Sequence, residues 1–297
     1  MNRRYFLRSL PLTVPLAGAL PEIIRQDRPA AAPIPDDPDA LVCRTKFDIA
    51  VNLSLRNKPI NEVITEIGKT FLGTPYVANA LEQPGDEHLV VNMRGLDCVS
   101  FYENALVLAR CIKKGKMTFD DYKAELTLIR YRGGVINGYP SRLHYTSDYF
   151  FDGVQKGIWK DMTKELGGVR FDKKLNFMST HPDSYRQLKE NESFRKMIVE
   201  QEATINARER YYLPQEKVEA VAANIQNGDI IGTTTDVEGI DTSHTGIVIR
   251  IDGAPKFMHA PLAGKKVTVS AGTLWEYLAA IKRMTGILIV RPLEPAA

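Results

Sequence analysis

Residues 95–108 read Gly-Leu-Asp-Cys-Val-Ser-Phe-Tyr-Glu-Asn-Ala-Leu-Val-Leu and join an extended, glycine-containing stretch to an apolar helical pattern. Asp97 is a favourable N-cap residue, so Cys98 falls in the first turn of the predicted helix, where free backbone N–H groups and the helix dipole favour an anion. A thiol there is expected to have a lowered pKa and to act as a nucleophile at neutral pH. The alternative is that Cys98 is a small buried apolar residue.

The helix that begins at Cys98 is predicted to be amphipathic and to end near Gly115. Its apolar residues recur at three- and four-residue steps and predict one buried face: Phe101, Ala105, Leu108 and Ile112. Two lysines before the glycine are typical of a last helical turn. An earlier helical pattern runs from residue 47 to residue 71.

The pattern changes to β after Pro214. Strands are predicted at residues 229–231, 244–251, 256–260 and 286–291, and Asp252-Gly253 supplies the chemistry of a hairpin turn. Helices first and a compact antiparallel sheet afterwards predict an α+β protein rather than a parallel α/β one.

Two histidines lie on the predicted hairpin. If Asp252-Gly253 is a two-residue turn, His259 faces Gly246, and the alternation of side chains places His244 and His259 on one face of the sheet as diagonal neighbours. A four-residue turn pairs His259 with Val248 and preserves the same face. The pair suits a general base and the group that orients it. The alternative is two ordinary histidines on the sheet surface.

The N-terminus is predicted to be an export signal. Residues 2–8 (Asn-Arg-Arg-Tyr-Phe-Leu-Arg) resemble the twin-arginine translocation motif, and the apolar stretch that follows is too short to span a bilayer. We therefore expect an exported, periplasmic protein with residues 1–39 as signal and linker and no stable membrane span once the signal is removed. The net charge of +3 comes entirely from residues 1–32, so nothing in the charge indicates a nucleic-acid partner.

The three cysteines do not form a disulfide framework. A bridge between Cys43 and Cys111 is conceivable in an oxidising compartment, but the sequence does not decide it. No Cys-x-x-Cys pair is present, and we expect neither a metal nor another cofactor. His144 and His181 are expected to be structural. The sequence leaves the oligomeric state open.

Five short motifs occur in the order found in the NlpC-type cell-wall hydrolases, which are papain-like cysteine enzymes. They are Gly73-Thr74-Pro75-Tyr76, Gly95-Leu96-Asp97-Cys98, Asn227-Gly228-Asp229-Ile230, Ser243-His244-Thr245-Gly246-Ile247 and Phe257-Met258-His259-Ala260. The resemblance implies a papain-like fold, with N-terminal helices that carry the nucleophile packed on a small antiparallel sheet. It also implies a cysteine nucleophile at Cys98, a general base at His244, a third polar residue at His259 and an active-site tyrosine at Tyr76.

Two departures resemble one branch, the N-acetylmuramoyl-L-alanine amidase-like proteins. Val99-Ser100 follows the cysteine in place of the usual Ser-Gly, and a long insertion at about 117–214 separates the nucleophile from the sheet. The insertion contains two elements that recur in this branch: Arg132-Gly133-Gly134 and Ser141-Arg142-Leu143-His144-Tyr145-Thr146-Ser147-Asp148. Residues 40–297 are therefore predicted to be a single catalytic domain.

The resemblance implies hydrolysis of the bond between N-acetylmuramic acid and L-alanine, with peptidoglycan or anhydro-muropeptides as substrate. The candidate substrate-binding residues are Tyr76, Asp97, Arg132, Arg142, Tyr145 and Ser243. For the arginines and tyrosine, the alternative is a structural turn with internal ion pairs. Two other functions remain open: a γ-D-glutamyl-diamino-acid endopeptidase, in which Asp97 pairs with a free amine, and a non-catalytic peptidoglycan-binding protein.

Overall fold

Five helices open the part of the chain that the structure describes. A computed structural model describes residues 37–296, so the predicted export signal lies outside the described residues. The helices are α1 (Pro38–Asn52), α2 (Ile60–Lys69), α3 (Cys98–Lys114), α4 (Phe119–Arg130) and α5 (Thr146–Gln155). Helix α1 begins within the predicted linker, where the Asp37 carboxylate accepts a hydrogen bond from the Asp39 N–H at 2.8 Å.

The helical pattern predicted over residues 47–71 is divided in two. A 3₁₀ turn at Leu55–Asn57 separates α1 from α2, and Pro59 is the N-cap residue of α2. Proline fixes its own φ and disfavours the helical conformation in the residue before it, so one continuous helix was the wrong interpretation. The N-cap proline was itself a readable signal of the boundary.

Helix α3 begins and ends where predicted, but it is not amphipathic. Every residue from Ser100 to Ile112 is buried, including Glu103 and Arg110. Gly115 ends the helix in the left-handed conformation with φ 69°. The helix is enclosed because α1, α2, α4 and the sheet all contact it. The nucleophile candidate therefore stands at the tip of the most deeply buried helix described.

The predicted insertion is not a separate layer. It contributes the strands β1 (Trp159–Asp161), β2 (Val169–Arg170) and β3 (Tyr211–Pro214), and the helices α6 (Phe177–Thr180), α7 (Arg186–Glu190), α8 (Glu192–Ala207) and α9 (Gln215–Val218). Both β1 and β3 pair with the last strand of the chain. All three strands of the insertion thus extend the main sheet, β2 through its pairing with β3.

The predicted antiparallel sheet is confirmed. Its remaining elements are β4 (Ile230–Thr235), β5 (Thr242–Ile251), β6 (Ala254–His259), β7 (Thr268–Val269) and β8 (Met284–Pro292), with α10 (Leu274–Ala279) before the last strand. Within residues 37–296 the strand order is β2-β3-β8-β4-β5-β6-β7, with β1 also on β8, and every pairing is antiparallel. The described chain is an α+β protein.

The β5–β6 hairpin has the predicted two-residue turn. Ile251 pairs with Ala254, and Asp252 and Gly253 between them have φ values of 52° and 80°. Positive φ at both turn positions gives the twist that two adjacent strands require. The turn therefore fixes the register of the whole hairpin.

Three apolar clusters organise the described residues. The largest lies between α1–α4 and one face of the sheet, and a second lies between the other face and α10. A third, which we call the insertion cluster, is small and separate: Tyr139, Tyr145, Leu175, Met178, Leu188, Ile198 and Ile205. Among the described helices, none combines the length and apolar character needed to cross a membrane.

Candidate active site

A capping box holds Cys98 at the first position of α3. The Asp97 carboxylate accepts a hydrogen bond from the Ser100 N–H at 2.7 Å, and the Ser100 hydroxyl accepts one from the Asp97 N–H at 2.9 Å. The segment before the helix is fixed as well, because Tyr76 forms a parallel bridge with Leu96. The capping box satisfies backbone N–H groups at the start of the helix. The bridge to Leu96 places Tyr76 near Cys98.

The Cys98 thiol is half-buried and lies against Thr245. Burial, and then the Asp97 charge, raises the pKa of the thiol to about 11, although hydrogen bonding to the Thr245 side chain and backbone acts in the opposite direction. The predicted lowering of the thiol pKa is therefore wrong. Loss of water destabilises the thiolate more than the helix start stabilises it. At neutral pH the thiol keeps its proton and needs a base to remove it.

The two histidines meet as the hairpin register predicts. Gly246 pairs with His259, and His244 Nε2 and His259 Nδ1 share a hydrogen bond of 2.7 Å. A Cβ at Gly246 would come within 2.6 Å of the Met258 carbonyl oxygen, so only glycine fits here without moving the strands. Because His259 occupies Nε2 of His244, Nδ1 is the ring nitrogen left for another group.

Both imidazoles are neutral at physiological pH. Burial lowers the pKa of His244 to about 4. Burial, and then the charge of His244, lowers the pKa of His259 to about 3. A neutral imidazole can accept a proton, whereas an imidazolium cannot. The resting site therefore combines a protonated thiol with an unprotonated base.

Three residues that the sequence analysis did not single out complete this region. Phe257 stacks on His259 at 4.8 Å between ring centroids, and Tyr277 of α10 meets the same ring edge-on at 4.9 Å. Burial, and then the proximity of Cys98, raises the pKa of Tyr277 to about 12. Thr245 is buried, and its hydroxyl has no nitrogen or oxygen partner among the described residues. Thr245 belongs to the motif Ser243-His244-Thr245-Gly246-Ile247, whereas Tyr277 lies on a six-residue helix that contains none of the five motifs.

A cavity of about 210 Å³ opens on the thiol. Its lining includes Cys98, Ser243 and His244, together with three residues of the insertion: His144, Tyr145 and Phe177. A second cavity of about 180 Å³ shares the walls Val99 and His144 with the first and contains Asp97 and Arg142. The predicted nucleophile, base and two of the predicted binding residues thus border one space.

Asp241 joins the insertion, at the start of helix α5, to the strand that carries His244. Its carboxylate accepts hydrogen bonds from the Ser147 N–H and the Thr242 N–H, both at 2.7 Å. Helix α5 has no side-chain cap of its own, so Asp241 caps it from another element. The hydroxyls of Thr146 and Thr242 also lie 2.5 Å apart. These contacts hold the insertion side of the cavity to strand β5.

Three of the predicted binding residues use their polar groups within the protein. Arg132 donates to Asp148 at 2.6 Å, and Arg142 donates to Glu82 at 2.5 Å and to the Leu81 carbonyl oxygen at 3.0 Å. The Tyr145 hydroxyl donates to Glu202 at 2.7 Å. These contacts correspond to the internal ion pairs of the structural alternative. Ser243, in contrast, is exposed, and Tyr76 is half-buried. No group of three or more potential metal ligands occurs within residues 37–296.

A model of the AmiA-like family, described as N-acetylmuramoyl-L-alanine amidase-like, matches residues 66–287. The matched class is that of amide hydrolases, and the predicted enzyme class is confirmed. The chain belongs to the AmiA-like family of N-acetylmuramoyl-L-alanine amidase-like peptidoglycan hydrolases. A comparison with curated proteins found no match.

Solved structures agree with this membership. An N-acetylmuramoyl-L-alanine amidase from Bacteroides uniformis is 33% identical, with a TM-score of 0.74 over 78% of this chain and 98% of that one. A candidate xylanase from Bacteroides fragilis is 38% identical, with a TM-score of 0.71 over 75% and 98%. A Legionella pneumophila protein, 22% identical with a TM-score of 0.63 over 86% and 94%, shows a similar fold alone.

Proposed function

We propose that the protein hydrolyses the amide bond between N-acetylmuramic acid and L-alanine in peptidoglycan fragments, with Cys98 as nucleophile. The observation that carries this proposal is the hydrogen-bonded His244–His259 pair, whose first ring lines the cavity that contains the thiol. The name of the Bacteroides uniformis relative supports the choice of bond. We also propose that the fold is the papain-like, NlpC-type one, since nucleophile helix and histidine hairpin come in that order.

The chemistry follows from two neutral groups. His244 Nδ1 accepts the thiol proton while the sulfur attacks the lactyl carbonyl carbon, and the resulting imidazolium gives the proton to the departing L-alanine nitrogen. The lactyl group remains on sulfur as a thioester until a water molecule, deprotonated by His244, releases it. His259 accepts the Nε2–H of His244 and so keeps Nδ1 free as the base. In this proposal the first-turn N–H groups of α3 and the Tyr76 hydroxyl stabilise the oxyanion.

Mass analysis of digested muropeptides tests the bond that is cut. We expect release of the intact stem peptide from the sugar, with anhydro-muropeptides among the good substrates. Products that retain L-alanine on muramic acid would contradict the proposal. They would instead favour cleavage within the peptide.

One observation favours the second candidate, a γ-D-glutamyl-diamino-acid endopeptidase. Asp97 uses Oδ1 for the hydrogen bonds that it accepts from the Ser100 N–H and hydroxyl, whereas Oδ2 has no partner among the residues described. The residue also lines the second cavity. A free carboxylate oxygen beside the nucleophile can pair with the amine of a peptide that begins with L-alanine. A digest of the free stem peptide decides between the two functions, because only the endopeptidase cleaves a peptide without muramic acid, with L-Ala-D-Glu as a product.

The acid limb of the pH–rate profile is expected near pH 4, well below the ordinary histidine value. Burial lowers the pKa of His244, so the ring stays an unprotonated base down to about pH 4 and activity is lost as the pH falls through that value. The measurement is kcat/KM against pH with a small soluble muropeptide. An acid limb at pH 6 to 7 would show that the base is solvated rather than buried.

We further propose that residues 1–39 direct export to the periplasm by the twin-arginine route. Arg3 and Arg4 carry the proposal. Cell fractionation of the full chain with Arg3→Lys and Arg4→Lys tests it. We expect the double variant to stay in the cytoplasm, and normal export of that variant would contradict the route.

A further inference from the structure

His144 faces the candidate active site, although the sequence predicts a structural role for it. It lines both cavities together with Val99, and the first of them is also lined by Cys98 and His244. It lies two residues after Arg142, which forms a β-bridge with Tyr131. This bridge fixes the backbone of the insertion just before His144. His144 therefore borders the cavity that would hold the reacting bond in the proposed function.

The orientation of the ring is fixed by one loop. His144 packs on the Tyr139 ring at 4.4 Å between centroids, and its Nε2 lies 3.1 Å from the Tyr139 carbonyl oxygen. A carbonyl oxygen only accepts hydrogen bonds, so Nε2 must carry the hydrogen. Burial, and then the charge of Arg142, lowers the pKa of His144 to about 3, so the ring is neutral at physiological pH. Its Nδ1 is consequently a hydrogen-bond acceptor.

That acceptor has no partner in the described part of the chain. Every hydrogen bond of His144 involves Nε2, and Nδ1 is not among the buried polar atoms without partners, so solvent reaches it. Packing on Tyr139 alone does not require a hydrogen-bond acceptor at Nδ1 that is open to solvent. A fixed acceptor next to a nucleophile is a means of selecting a donor on the bound molecule.

We propose that His144 Nδ1 accepts a hydrogen bond from a neutral N–H or O–H group of the bound glycopeptide. His144 is then a substrate-binding residue that determines specificity. The assignment rests on the proposed function, because it requires that muropeptides occupy these cavities. His144 cannot serve as a general acid there, since its hydrogen is held by the Tyr139 carbonyl oxygen.

Two replacements separate binding from packing. In His144→Gln the side-chain amide reaches the position of Nε2, so it can keep the bond to Tyr139 but lacks the acceptor at the position of Nδ1. In His144→Asn the side-chain oxygen takes the position of Nδ1, and the bond to Tyr139 is lost. A role in packing predicts damage from Asn, whereas a role in substrate binding predicts damage from Gln.

The experiment measures the affinity of N-acetylmuramoyl-L-Ala-D-Glu for the full-length Cys98→Ala protein by calorimetry. We expect His144→Gln to raise Kd about tenfold, the loss of one neutral hydrogen bond, and His144→Asn to change Kd less than threefold. With Cys98 intact, His144→Gln should raise KM and leave kcat nearly unchanged. His144→Asn should instead lower Tm by about 2–4 °C, because it loses the hydrogen bond to Tyr139. His144→Gln keeps that bond, so its Tm should stay close to that of the wild type.

Equal affinities of the His144→Gln protein and its Cys98→Ala parent would overturn the inference and leave the proposed function standing. A greater loss of affinity in His144→Asn than in His144→Gln would also overturn it, since packing would then be the role of the ring. If the Cys98→Ala parent itself does not bind the ligand and the wild type does not cleave it, the proposed function fails and this inference falls with it.

Discussion

Replacement of Cys98 by alanine is expected to lower the rate of muropeptide hydrolysis by at least about 10³-fold, with the fold retained. The thiol supplies the bond to the lactyl carbon in the proposed mechanism, and no neighbouring side chain can replace it. Cys98 stands at the tip of α3, and its side chain contributes no contact to the buried clusters. Circular dichroism and Tm should therefore match the wild type while the product assay shows the loss.

Cys111 provides the matched control. It lies on the same helix, about 20 Å from Cys98 along the axis, and is buried. Cys43 and Cys111 are free thiols in the structure, and burial raises the pKa of both. Because Cys43 and Cys111 are buried, whereas Cys98 shares a cavity with the candidate base His244, iodoacetamide should modify Cys98 alone, and Cys111→Ala should retain kcat. Hydrolysis by Cys98→Ala at the wild-type rate would refute every catalytic assignment made above.

Replacement of Glu103 by alanine is expected to lower the free energy of unfolding by about 3–5 kcal/mol. Glu103 is fully buried on the same helix as the nucleophile, and it accepts hydrogen bonds from Arg130 at 2.7 Å and from the Tyr149 hydroxyl at 2.8 Å. Its removal leaves the buried Arg130 charge without a counter-ion. Urea denaturation, followed by tryptophan fluorescence, measures the loss.

Glu192→Ala is the control for this experiment. Glu192 pairs with Lys196 at 3.0 Å on the exposed face of α8, so its removal should cost no more than about 0.5 kcal/mol. Similar losses in the two variants would mean that the buried pair contributes nothing beyond a surface one. A double replacement of Glu103 and Arg130 by apolar residues should recover part of the lost stability, because no charge is then left buried.

Local chemistry explains what the sequence predicted correctly. Asp97 and Gly115 set the two ends of α3, and Asp252-Gly253 set the hairpin register that brings His244 and His259 together. Caps and tight turns depend on a few adjacent residues, so they can be read without knowledge of the rest of the fold. Side-chain alternation then determines which residues share a face.

Properties that depend on distant parts of the chain could not be read in this way. The pKa of Cys98 is raised because elements far apart in sequence exclude water from the thiol. The expectation of a lowered pKa considered only the first turn of helix α3. The apolar pattern of α3 suggested one buried face because the layers that cover its other side are remote in sequence. Tyr277 reaches the site from α10 through tertiary packing alone, without any motif.

The insertion cluster is expected to open locally at a lower free-energy cost than the two larger clusters. Tyr145 and Met178 belong to this small group of side chains, whereas Cys98 stands on helix α3 and the two imidazoles stand on strands β5 and β6, elements that contribute residues to the larger clusters. Local opening of a small cluster costs less free energy than global unfolding. Backbone amides of the insertion cluster should therefore exchange their hydrogens faster than those of the two larger clusters. The contacts of Asp241 with Ser147 and Thr242 keep the cavity beside Cys98 in shape during such local opening.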